Sequence, residues 1–244
     1  PPMNEQAAGN FPHLALLRDM YKDISYLSFK MPPGIVGTEK TYDFTVDKED
    51  LAQFMHMECL DLVVLEAGIL VCNDLSVKKG HSGLYGFLSP ISTTQARNTL
   101  TQRTLYIGAS IALEGDRCYL APILEAGHWT LCVVCPSKNT CYWFDPLRNG
   151  RPNDEIKSMF ANALRAARTI AGVAEQGGPK WHFPRCPKQP GNSECGYYVI
   201  FFMHEIVGSG RTSFMNIFDS LAPCSDEDID TVRDALAAMF LQHI

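Results

Sequence analysis

No window of 18 apolar residues free of charge occurs in the sequence, and none of its asparagines stands in an Asn-x-Ser/Thr acceptor. The first absence excludes a membrane-spanning helix. The second, with an odd count of nine cysteines and no leading signal pattern, argues against an oxidised secretory disulfide framework. Surplus basic charge is missing too, because 21 Lys and Arg against 27 Asp and Glu leave a net charge of −6. Coating phosphate backbones needs clustered Lys and Arg in excess, so no nucleic-acid partner is expected. Internal repeats, low-complexity tracts and an evident domain linker are also absent. One intracellular α+β domain with reduced thiols, nuclear or cytoplasmic and monomeric, is the economical expectation.

What is present is ordinary in bulk and specific in detail. The 244 residues are 46% hydrophobic and 20% charged, a globular balance with ample length for a core. The chain begins at Pro1 and not at Met, which fits a segment of something longer. Residues 1–40 are expected to form an N-terminal arm, peripheral and helical between Phe11 and Met31 and ended by Pro32-Pro33-Gly34. Residues 41–244 are expected to form a single domain. Within it, Tyr42 to Val46 alternates like a strand, and Asp47 with Asp50 marks a capped helix start. A second helix is expected from Leu60 to Val71, and a glycine-rich, basic, mobile loop from Val77 to Gly86. Cys118 to Leu120, His128 to Cys135 and Thr140 to Phe144 have the β-branched and aromatic character of adjacent strands. Asp154 to Ile170 is amphipathic with helical period, and Trp181 to Phe183 suits one more short strand. Cys195 to Val207 is apolar nearly all round and closed by Gly208, as a helix buried at a domain centre would be. Ser225 with Asp228 opens a last helix reaching Leu241.

Chemistry concentrates at that buried helix. A loop of turn formers, Gln189-Pro190-Gly191-Asn192-Ser193, delivers Cys195 to its first turn, where the helix dipole favours thiolate over thiol. Asn192 or Ser193 can cap the free amides, and Gly196 can let another chain approach the sulfur. A nucleophilic cysteine needs a base, and the base needs an orienting acid or amide. His128 heads one strand and Asp145 closes the next. A hairpin through Pro136 to Asn139 would bring the two together. Gln189 can donate its side-chain amide to an oxyanion beside the Cys195 N–H.

Other residues carry bland explanations. Cys132-Val133-Val134-Cys135 has a metal-ligand spacing, but residues three apart on a strand face opposite ways, so no metal and no cofactor is expected. Cys59, Cys72, Cys118 and Cys141 lie in apolar runs and suit core thiols, whereas Cys186 and Cys224 lie in loops and are expected at the surface. His182 lacks an evident acid, and His204 is two turns from the thiol. Glu194 suits the helix dipole better than acid catalysis.

The order His128-Trp129, Asp145, Gln189, Cys195-Gly196 resembles the ubiquitin-like-protein proteases, the SUMO-processing cysteine peptidases related to the adenovirus protease. A cysteine after the histidine counts against papain-like order. The resemblance implies an α+β fold of papain-like cysteine-protease type, a mixed sheet packed on a buried helix that carries the nucleophile. It implies catalysis by Cys195, His128, Asp145 and Gln189, with SUMO or another ubiquitin-like modifier as substrate and partner. Cleavage would follow the modifier's C-terminal glycine, in conjugates and in precursors. In the family a Trp-Leu-Asn-Asp segment supplies a second Trp that, with the Trp after the His, closes a tunnel over the Gly-Gly tail. Here the matching stretch is Cys59-Leu60-Asp61-Leu62. Trp129, Cys59 and Asp61 are therefore the expected substrate-binding residues, in a looser channel. Two other classes use the same residues: an acyltransferase with this His-Asp-Cys site, and a non-catalytic module that only binds ubiquitin-like proteins.

Overall fold

The computed structural model describes residues 10–174, 176–218 and 220–244. Helix α1 (Pro12–Met20) and a 3-10 turn (Tyr21–Asp23) lead into β1 (Tyr26–Met31), which pairs antiparallel with β2 (Tyr42–Asp47). The segment expected to be a helical arm is thus half strand, and the reason is local. Tyr26 to Met31 alternates exposed and buried residues, the period of a half-buried strand. Leu14 and Leu17 of α1, with Leu27, Phe29 and Met31 of β1, are buried in the main core cluster.

Asp47 then starts α2 (Lys48–His56) with the expected capping box, its side chain accepting from Glu49 and Asp50. Helix α3 (Leu62–Lys78) runs a full two turns beyond the expected Val71. The loop expected from Val77 to Gly86 is correspondingly short, since Tyr85 and Gly86 already belong to β3 (Tyr85–Phe87). His81 ties the turn down by donating from Nδ1 to the Val207 carbonyl at 2.8 Å. A short α4 (Pro90–Thr93) precedes α5 (Leu100–Glu114), which was not expected although Thr99 and Gln102 form a complete capping box.

The central sheet adds β4 (Cys118–Glu125), β5 (His128–Cys135), β6 (Thr140–Phe144) and β7 (Lys180–His182), in the order β3-β4-β5-β6-β7. Its three middle strands are antiparallel and its two edges pair in parallel, so the sheet is mixed. Both faces are covered, which is why β5 is apolar without alternation. Helices α5 and α6 (Asp154–Ile170) cover one face, meeting Cys132, Val134, Cys141 and Trp143. The other face carries Trp129, Leu131, Val133 and Cys135 against α3, α7 (Cys195–Ser209) and α8 (Asp226–Leu241).

Helix α7 lies at the centre of that second layer, and Tyr197, Val199, Ile200, Phe202, Met203 and Ile206 are all buried. Each such side chain contributes about 1.5–3 kcal/mol by leaving water, so the helix start is held by the best-packed part of the core. Gly68 lets α3 approach it closely: a Cβ there would stand 3.1 Å from Ile200. The helix ends at Gly210, with φ +64°, and not at Gly208.

Candidate active site

Cys195 is the first residue of α7 and only 1% exposed. The sequence suggests Asn192 or Ser193 as its cap, but the N-cap is Glu194, in helical conformation and with no side-chain cap bond. Ser193 turns away and donates to the Met57 carbonyl at 3.2 Å. The helix start is therefore left without a side chain competing for its amides, the condition under which its partial positive charge acts on a sulfur or an oxyanion. Gly196 also differs from expectation. A Cβ there would meet the Leu60 side chain at 3.0 Å, so the missing side chain admits Leu60 and not an incoming chain.

His128 opens β5 beside the end of β6, and the Pro136–Asn139 turn joins the two strands with Asn139 at φ +47°. His128 Nε2 stands 2.7 Å from Asp145 Oδ1. A carboxylate can only accept this bond, so Nε2 carries its proton and Nδ1 is the ring nitrogen left for the sulfur. Burial disfavours a charged imidazole, yet the bond it donates to Asp145 and the hydrogen bond with Cys195 outweigh it and raise His128 to about 9. Asp145 shows the reverse balance. Burial pushes its pKa up, but His128 and the N–H groups of Gly150 and Leu147 hold it below the ordinary carboxylate value. The backbone curls to make this possible: Leu147 N donates to Oδ1 at 2.9 Å, and Asn149 N and Gly150 N donate to Oδ2 at 3.1 and 2.6 Å. Such converging amides make an anion-binding nest.

Gln189 is buried, and its backbone N–H donates to the Pro146 carbonyl at 2.9 Å, next to the acid. Its Nε2 donates to the Gly191 carbonyl at 3.0 Å, while Oε1 has no partner among the described residues. One of the two amide hydrogens is thus used internally and one is left over. Trp129 is 1% exposed, and its indole N–H donates to the Leu60 carbonyl at 2.9 Å. The 57–61 loop therefore lies across the start of α7, bound through Ser193, Trp129 and the Leu60–Gly196 contact.

Cys59 is exposed in that loop and is not the core thiol that its apolar neighbours suggest. Asp61 is exposed beside it and caps α3 by accepting from Val63 N at 3.3 Å. Cys186, expected at the surface, is instead buried with its thiol donating to the Asp145 carbonyl at 3.4 Å. In both cases the neighbour in space and not the neighbour in sequence decides. His182 stacks on Tyr142, and His204 sits 3.4 Å from Glu205, so neither reaches the thiol. Cys132 and Cys135 fall in different core clusters, on opposite faces of the sheet. Among the described residues no group of three or more His, Cys, Asp or Glu is placed to hold a metal ion, and no helix is long and apolar enough to cross a membrane.

Neither the nest around Asp145 nor the reach of the Arg148 side chain out of it, to the Cys186 and Leu221 carbonyls, has a local signal. Asn149-Gly150 signals a turn, but nothing in the sequence says that three N–H groups point at one carboxylate.

Residues 113–244 match the sequence profile of the Ulp1 protease family, C-terminal catalytic domain. A comparison with curated protein sequences gives no match. Among solved structures, the C-terminal Ulp1 protease domain in complex with Smt3, the yeast ortholog of SUMO, superposes with a TM-score of 0.60 at 15% identity, covering 100% of this chain and 97% of that one. The Ulp1-like SUMO protease catalytic domain of Chaetomium thermophilum gives a TM-score of 0.59 at 16% identity, over 82% and 79% of the two chains. A de-sumoylating protease gives 0.59 at 14% identity, over 90% and 93%. At these identities the likeness establishes the fold.

Proposed function

Because the chain belongs to the Ulp1 protease family and is by that membership a cysteine protease, we propose that it cleaves after the C-terminal glycine of a ubiquitin-like modifier, SUMO or another. The observation that carries this reading is the contact of His128 with Asp145 at 2.7 Å beside a cysteine at the start of the most buried helix. The Cys195 thiolate attacks the scissile carbonyl, and the oxyanion is held by the Cys195 N–H and the free amide hydrogen of Gln189. His128, kept protonated by Asp145, gives its proton to the leaving amine, a lysine side chain in conjugates and a backbone nitrogen in precursors. Water, deprotonated by the same imidazole, then hydrolyses the thioester and regenerates the thiolate.

The substrate's tail is expected to approach past Trp129, Cys59 and Asp61. A narrow channel there would admit a glycine tail and exclude larger residues, since any Cβ adds a collision. Support for the substrate class comes from the Ulp1 domain solved with Smt3 bound. Cys59 and Asp61 are exposed in the 57–61 loop that crosses the start of α7, and a globular modifier resting on that loop would meet them.

The test is covalent capture. A panel of ubiquitin-like modifiers with C-terminal electrophiles, SUMO and ubiquitin included, is incubated with the protein and with Cys195→Ala. An adduct with at least one modifier, lost in the variant, is the expected result and identifies the substrate. Labelling of Cys195 by acetyl coenzyme A with no modifier adduct would assign an acyltransferase. Binding without any adduct would leave a recognition module.

A further inference from the structure

Residues 183–194, which carry Gln189 to the nucleophile, contain no helix or strand. Nothing like a sheet ladder sets the position of the amide, so discrete fastenings must do it. One is the bond from Gln189 N to the Pro146 carbonyl at 2.9 Å. The Cys186 thiol adds a weaker one to the Asp145 carbonyl at 3.4 Å and Ser193 ties the far end to the Met57 carbonyl, and the fastening with two bonds comes from Arg148, three residues after the acid. Its Nε donates to the Cys186 carbonyl at 2.6 Å, and its Nη2 donates to the Leu221 carbonyl. One planar guanidinium thereby joins three loops: the Asp145 wrap, the Gln189 segment and the approach to α8. The Asp145 wrap also presents Arg148 in a definite direction. Arg148 has φ +58°, left-handed and uncommon for this residue type, and its N–H closes a turn onto the Asp145 carbonyl at 2.9 Å. The same reversal lets Leu147, Asn149 and Gly150 aim their amides at the carboxylate. Strain of this kind persists only where its surroundings hold it.

We propose that Arg148 is a positioning residue that locks the Gln189 segment to the Asp145 loop, so that the oxyanion donor and the acid keep one geometry around Cys195. The inference rests on the hydrolytic reading above and adds a residue to it. Arg148 acts on Gln189 and not on the thiolate, because its two bonds go to backbone carbonyls of the flanking loops. Lysine can replace it only in part, since a single ammonium does not span both carbonyls in a fixed fork.

Two readouts separate this role from a general loss of structure. Hydrolysis of a modifier–aminocoumarin conjugate reports oxyanion stabilisation. Alkylation of Cys195 by iodoacetamide reports the Cys–His pair alone, because displacement of iodide develops no oxyanion. Arg148→Ala, and Arg148→Asn, which tolerates left-handed backbone, are expected to lower kcat about 10–100-fold with KM little changed, below the loss of a whole oxyanion donor. Alkylation should stay within about twofold, and Arg148→Lys should fall between. The double variant Arg148→Ala, Gln189→Ala should be no slower than Gln189→Ala alone, because both changes remove one interaction. Losses that multiply in the double variant, or alkylation that falls together with hydrolysis, would overturn the proposal and leave the peptidase reading standing. An unsubstituted protein that cleaves no modifier conjugate would overturn the reading and the proposal with it.

Discussion

Among the described residues, Asp145 and Glu66 are buried carboxylates that behave oppositely. Asp145 is 5% exposed and Glu66, in the middle of α3, is 0% exposed. Glu66 accepts from the Ser89 hydroxyl, from Tyr42 at 3.0 Å and from Ile91 N at 3.3 Å, all neutral donors. Burial dominates there and raises its pKa in spite of those bonds. Asp145 also suffers burial, but it faces a cationic imidazole and three backbone N–H groups and is held ionised. Pairing, not depth, decides which acid is charged. The charged one stands at the nucleophile, and the other joins β2, α3 and α4 as a hydrogen-bonded brace.

The contrast can be tested from its strongest side. Asp145→Asn removes the charge while keeping the shape, and kcat/KM is expected to fall about 10²–10⁴-fold. With it the alkaline limb of the activity profile, set in the native protein by His128 near 9, should move down toward the ordinary histidine value of 6.5. The same shift has a stability sign. His128 has a raised folded pKa, so its contribution is complete below about 6.5 and is lost as pH rises through about 9. A variant whose alkaline limb stays near 9 would separate His128 from this acid.

Glu66→Ala is next in size. It leaves the Tyr42 and Ser89 hydroxyls and Ile91 N without their acceptor and opens a cavity, so denaturant titration should show a loss of about 2–4 kcal/mol. Equal stability to the parent would refute the brace.

Glu66→Gln should change least at acid pH, within about 1 kcal/mol, because a protonated carboxyl and an amide are alike in shape and neutrality. Glu66 has a raised folded pKa, so the unfolded chain ionises first and parent stability falls as pH climbs above 4.5. The amide has no such cost. The variant should therefore gain on the parent between pH 5 and 8, and a constant difference over that range would mean that Glu66 ionises normally.

Much of the framework was legible along the chain. Asp47 with Asp50 and Ser225 with Asp228 began their helices where capping chemistry requires, and the amphipathic run Asp154 to Ile170 formed a helix with those bounds. These features depend on groups within four residues of each other, which a sequence displays directly. Tyr26 to Met31 is a strand and not the expected helix although it alternates, because the apolar weight of the surrounding run masks the shorter period. Helix α5 does carry a local signal, the Thr99-Gln102 capping box. The burial of Cys186, the exposure of Cys59 and the filling of the Gly196 space by Leu60 had no local signal, since each depends on residues from distant parts of the chain.

By itself the sequence determined which chemical groups are available and in what order: a thiol at a helix start, an imidazole and an acid at the two ends of one hairpin, an amide six residues before the thiol. Those relations survive any packing that keeps the elements intact. Only the tertiary structure decided that three amides converge on Asp145, that Arg148 joins three loops, and that Trp129 lies buried under Leu60. Such contacts arise where loops without a repeating backbone pattern meet, and their geometry is settled by the core beneath them and not by their own residues.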